Sequence, residues 1–198
     1  MGRAGRWIAP CGLVTALLSC GCGSGSADHS VGVSTGRPAP VPIELELRTP
    51  DGVFVHVGDL RGRVTALFFF ATFDTLSQAA LQPISRFARH YPDVHIVGVA
   101  LQPDAAALVD AWAHALSPPF VVTYDPNETV LEGTSDLGDI EAVPTIVFLD
   151  ADGFEAERYV GLASERRLAH MLERTRARLP AAATGTGSGT GTGVSPRR

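Results

Sequence analysis

The chain has 198 residues, 45% of them apolar, and a net charge of −5, which suits one domain with a full core rather than two. All 16 cationic residues are arginine, and the late ones (Arg166, Arg167, Arg174, Arg176, Arg178) interleave with Glu165 and Glu173 as on a solvated helix face. A nucleic-acid partner needs a clustered cationic surface, and this negative, mixed-sign surface argues against one.

The first 19 residues read as a targeting segment. Arg3 and Arg6 make a short positive region, and Trp7 to Leu18 an apolar stretch of secretory length, too short to span a bilayer comfortably. It ends in Leu17-Leu18-Ser19-Cys20-Gly21, which resembles a bacterial lipobox. That resemblance implies cleavage before Cys20, lipid on Cys20 and stable anchoring by several acyl chains. Gly21 after the cysteine favours the outer membrane by the enteric sorting rule. Of three cysteines, Cys11 lies inside the segment, Cys20 is the expected anchor, and Cys22 follows on a tether. No disulfide framework is available to the rest of the chain.

Residues 20–42 are rich in Gly, Ser and Pro and read as a flexible linker. Residues 181–198 read as a low-complexity Gly/Thr tail, leaving 43–180 for the folded domain. Ile43–Arg48 and Val53–Val57 alternate around Pro50-Asp51-Gly52, a hairpin pattern. Val64 to Phe70 is a continuous apolar run, expected as a strand buried on both faces. Helical period takes over from Ser77 to Tyr91, with Ala80, Leu81, Ile84, Phe87 and Ala88 on one side. Val94 to Leu101 is a second apolar strand. Asp104 is placed to cap a helix whose buried stripe is Ala105, Leu108, Val109, Trp112 and Leu116. A short strand, Phe120 to Tyr124, is followed by a late hairpin (Thr145–Leu149, Phe154–Val160) turning at Asp150 to Gly153. A last helix runs from about Ser164 to Leu179, before Pro180. Strand–helix–strand alternation predicts an α/β domain whose central mixed sheet is flanked by helices.

Several segments in this order resemble the thioredoxin-like redoxins of the TlpA/ResA type, relatives of the AhpC/TSA peroxiredoxins and Sco proteins. Leu47-x-x-Pro50-Asp51-Gly52 with Asp59-Leu60-Arg61-Gly62-Arg63 resembles the family's lead-in. Ile140 to Thr145 resembles its cis-proline loop, followed by Asp150-x-Asp152-Gly153 and Tyr159-Val160-Gly161. Val64 to Ser77 resembles the strand, active-site turn and helix start, where the family pattern is Ala-Thr-Trp-Cys-x-x-Cys. Here Phe73 replaces the tryptophan, Asp74 the nucleophilic cysteine, and Ser77 (or Gln78, in the alternative register) the second cysteine. Both positions where the family places a proton-transferring acid, Phe68 and Ala80, are apolar. A dithiol needs a thiolate and a resolving sulfur, and these residues supply neither.

Two readings of the altered site stay open. In one, Thr75 and Gln78 form a capping box and Asp74 sits in the favourable field of the helix N-terminus. In the other, Asp74 is an anion presented to a partner or metal. The histidines (29, 56, 90, 95, 114 and 170) show no metal-ligand spacing, and no metal or cofactor is expected. The resemblance implies a binding groove of Phe73, Asp74, Val143, Pro144 and Thr145 that takes an envelope protein or extended peptide by strand-like pairing. The expected function is a lipid-anchored, redox-inactive binding or assembly factor facing the periplasm. Alternatives are a thiol–disulfide oxidoreductase or peroxidase-family protein using Cys22, and a Sco-like metal-handling factor for a respiratory complex.

Overall fold

The chain is seen here as a computed structural model describing residues 40–178. The expected signal segment, Cys20, Cys22, most of the linker and the Gly/Thr tail lie outside the described residues. The first hairpin is short, β1 (Glu46–Arg48) with β2 (Phe54–His56), and a 3-10 turn over Val57–Leu60 follows it. Next come β3 (Thr65–Phe70), α1 (Thr75–His90), β4 (His95–Ala100), α2 (Ala105–Leu116) and β5 (Val121–Tyr124). The chain then forms β6 (Thr145–Leu149), β7 (Glu155–Val160) and α3 (Glu165–Ala177).

One sheet holds the strands in the order β2-β1-β5-β4-β3-β6-β7. β3, β4 and β5 run parallel, joined by the crossover helices, while β6 lies antiparallel to β3. The early hairpin joins beyond β5 and the late hairpin beyond β3. An α/β plan with a mixed sheet is what the alternation of periods predicts.

All six residues of β3 are buried, and their side chains divide between two apolar layers. Ala66, Phe68 and Phe70 enter a core with Ile84 and Phe87 of α1, Val109 and Trp112 of α2, and Leu168, Met171 and Leu172 of α3. Leu67 and Phe69 enter a second core with Ile43, Leu45, Leu47, Val57, Val130 and Leu137. Thus the helices cover one face, while the N-terminal hairpin region and the β5–β6 connection cover the other. That connection is pinned by Asp125, whose carboxylate accepts from Asn127 N (2.9 Å), Thr129 Oγ1 (2.8 Å) and Val130 N (2.9 Å).

Two expectations about α2 fail. Asp104 does not cap the helix through its side chain: its backbone is left-handed (φ 56°, ψ 26°). A capping side chain reaches the free amides from an extended backbone. Of the expected stripe, Ala105, Val109 and Trp112 are buried, whereas Leu108 and Leu116 are 46% and 44% exposed. Leu108 lies on the flank of the stripe and Leu116 in the last turn. The Trp112 ring stacks on Phe70 with centroids 4.3 Å apart, so the middle of the helix carries its docking.

Phe148 of β6 is fully buried and meets the Phe87 ring edge-on at 6.0 Å between centroids. Truncation there leaves a cavity against α1. Phe148→Ala is expected to lower stability by about 3–5 kcal/mol, read as a lower urea midpoint with an unchanged slope.

Candidate functional site

Three chain segments meet at the end of the sheet where the parallel strands finish. Phe70 pairs with Ala100 across the β3–β4 ladder, and Phe69 pairs with Thr145 across β3–β6. The register therefore brings the turn after β3, the turn after β4 and the Val143-Pro144 step before β6 side by side. Crevices beyond the carboxyl ends of parallel strands are common binding positions in α/β sheets.

The turn after β3 is closed by Asp74 N donating to Ala71 O at 3.2 Å. Asp74 is extended (φ −86°, ψ 123°) and serves as the N-cap of α1. Its Oδ2 accepts from the Ser77 backbone N–H at 2.6 Å and from the Ser77 hydroxyl at 2.7 Å. Ser77 Oγ in turn accepts from Ala71 N at 3.3 Å. The two positions that the family pattern would give to cysteines are thus tied together by hydrogen bonds. Ser77 is fully buried, and it is Ser77, not Gln78, that turns toward Asp74.

The capping box assigned to Thr75 and Gln78 is replaced by this arrangement. Asp74 takes the capping role, so α1 begins at Thr75, two residues before the expected start. Gln78 Nε2 donates back to Thr72 O at 3.1 Å instead. The hydrogen bond from the Ser77 side chain, helped by the Ser77 and Leu76 backbone amides, holds the Asp74 carboxyl below its ordinary pKa against a smaller desolvation effect. Asp74 is therefore an anion at neutral pH.

Phe73 projects from the turn and is 74% exposed. Leu76 of the first helical turn is also exposed. On the neighbouring segment before β6 the Val143–Pro144 peptide is cis. Pro144 is buried, and its carbonyl accepts from Gly161 N at 2.7 Å. Thr145 is buried too, and its hydroxyl donates to Ala142 O at 2.6 Å. Among the described residues, neither the N–H nor the C=O of Val143 enters a hydrogen bond. Thus Phe73 is exposed and Asp74 and Val143 are half-buried at this end of the sheet, while Ser77, Pro144 and Thr145 are buried.

One residue escaped the sequence reading. Gln102, two residues beyond β4, is 4% exposed, and its Oε1 accepts from Thr72 N at 2.6 Å. It locks the β3 turn to the end of β4. Its signal in the sequence is a single amide directly after an apolar strand. Phe68 and Ala80, the positions without an acid, are each 1% exposed and belong to the helix-side core. His170 is exposed on α3, and among the described residues no group of three or more His, Cys, Asp or Glu side chains is placed to hold a metal. No helix of the described residues is long and apolar enough to cross a membrane.

No family model and no curated protein matches the sequence. Solved structures do match. A thiol:disulfide interchange protein of the thioredoxin family from Chlorobium tepidum is similar at 22% identity and TM-score 0.58, covering 71% of this chain and 97% of that one. The chain has the thioredoxin fold. The exposed lipoprotein thioredoxin of Streptococcus pneumoniae is similar at 22% identity and TM-score 0.56, over 66% of this chain and 98% of that one. A secreted Mycobacterium tuberculosis disulfide oxidoreductase, homologous to Escherichia coli DsbE, is similar at 20% identity and TM-score 0.53, over 67% and 95%. At such identities the likeness speaks for the fold.

The cap can be tested by pH. Asp74→Ala is expected to cost about 1 kcal/mol at neutral pH, and Asp74→Asn less, since asparagine also caps. Because the folded-state pKa is depressed, the ionised carboxylate contributes fully above its unfolded pKa, and that contribution is lost as pH falls through the folded value. The stability gap between wild type and Asp74→Ala, measured by urea unfolding, should narrow as the pH drops below the usual carboxylate range. A gap that stays constant down to that acid limit would refute the electrostatic part of the cap.

Proposed function

We propose that this protein is a cell-envelope binding or assembly factor whose thioredoxin domain is redox-inactive and takes an extended protein segment beside Val143-Pro144. The carrying observation is the Asp74–Ser77 pair, an anion and a buried hydroxyl bonded to each other where dithiol chemistry requires two sulfurs. The unpaired backbone of Val143 gives an incoming strand a donor and an acceptor, and main-chain groups of this kind support strand addition. Exposed Phe73 supplies an apolar wall to the same crevice.

Attachment to the membrane through lipid on Cys20 completes the reading, with the domain facing the periplasm. It is supported by the lipobox-like sequence, and one fold neighbour is itself described as an exposed lipoprotein thioredoxin. The rival reading, thiol chemistry through Cys22, draws support from the fold neighbours that are disulfide oxidoreductases.

Purified full-length protein is expected to show neither insulin reduction nor peroxide consumption, with or without a Cys22→Ser change. Turnover that depends on Cys22 would favour the rival. Pull-downs from an envelope extract should return partners with wild type that Val143→Arg loses, with circular dichroism confirming that the variant is folded. The same partners with both proteins would remove the groove from the reading.

A further inference from the structure

The crevice carries two unequal demands, and together they describe the segment that would fill it. The first is the Gln102 amide. Thr72 N–H can only donate, so the oxygen of Gln102 must face it, which fixes the amide orientation. The Gln102 nitrogen is then a buried donor without an acceptor among the described residues. Buried donors are nearly always matched, and an unmatched one lowers stability. This one adjoins the turn that bears Phe73 and Asp74.

The second demand is for positive charge. Asp74 is anionic and partly exposed. The β5–β6 connection, 125–144, holds Asp125, Glu128, Glu132, Asp136, Asp139 and Glu141, and no arginine or lysine. Exposed Asp139 and Glu141 lie just before Val143-Pro144, and exposed Asp104 follows the Gln102 turn. Arg158 reaches this connection, but its N–H groups donate to Leu137 O at 2.7 Å, to Asp139 O at 2.8 Å and to the Glu155 carboxylate. Its charge is spent on Glu155. Exposed Phe73 and Leu76 offer apolar surface beside the Asp74 carboxylate, suited to the hydrocarbon stem of a long cationic side chain.

We infer that the occupant of the groove is a cationic extended segment, with an arginine or lysine side chain on Asp74 and a carbonyl oxygen on the Gln102 nitrogen. This inference rests on the groove reading above and adds its chemistry. Neither contact needs a cysteine in the partner, which distinguishes the expected partners from dithiol substrates. The acidic rim would also speed encounter with such segments at low ionic strength.

The test is fluorescence anisotropy with full-length protein and short labelled peptides, identical except for a central Arg, Gln or Glu. The Arg peptide should bind tightest and the Glu peptide weakest, the difference shrinking with added salt. Asp74→Asn keeps a helix cap and should weaken the Arg peptide about fivefold while moving the Gln peptide by less than about twofold. Gln102→Glu keeps the acceptor for Thr72 N–H but removes the donor, and should weaken the Gln peptide about fivefold. Val143→Arg should weaken all three. Equal binding of the three peptides, still lost in Val143→Arg, would overturn the cationic inference and leave the groove standing. An Arg preference that survives Asp74→Asn, or a Gln peptide indifferent to Gln102→Glu, would also overturn it. Failure of every peptide to bind, or indifference of all three to Val143→Arg, would sink the groove and the inference together.

Discussion

The structure is organised around a strand with no free face. Each residue of β3 is buried, its two sides feeding separate apolar layers. Such a strand can hold no polar side chain along its middle without a buried partner. Polar groups are therefore driven to its ends. At the carboxyl end the chain must leave the sheet, satisfy its amides and start a helix within a few residues. The Asp74–Ser77 arrangement meets all three needs at once: it closes the turn, caps α1 and gives the Ala71 amide an acceptor.

This dual service holds the turn together without sulfur. In the resembling family two sulfurs stand at this turn; here a carboxylate and a hydroxyl bridge the same spacing. They stabilise the helix start and offer an anion to the crevice, but they cannot accept or pass electrons. Beside them stand the cis Val143–Pro144 step and the exposed Phe73 ring.

The legibility of the sequence is uneven. The run Val64 to Phe70 announces a doubly buried strand because every side chain in it but Thr65 is apolar, and its length fits a strand. Alternating periods along the chain reveal the mixed α/β sheet. The start of α1 is ambiguous because Asp74 and Thr75 are both good caps one residue apart. The turn bond from Asp74 N to Ala71 O decides between them. Leu108 and Leu116 match helical period, but period alone does not say how much of the helix lies against the core. Asp104 is a capping residue type in a backbone conformation that prevents capping. Gln102 was illegible for another reason: its role exists only through Thr72, 30 residues earlier. The cis state of Val143–Pro144 comes from the resemblance alone, since most X–Pro bonds are trans.

The complete burial of Ser77 has a consequence for substitution at this turn. A cysteine at position 74 alone would strip α1 of its charged cap and leave the Ser77 hydroxyl without its acceptor. A cysteine at 77 alone would offer the Ala71 amide and the Asp74 carboxylate a weaker partner in a site with no solvent to compensate. Each single substitution leaves the helix start poorer, and only the pair together could exchange one bridge for another. The hydrogen-bonded turn thus couples positions 74 and 77, so that neither can be exchanged alone without loss at the start of α1.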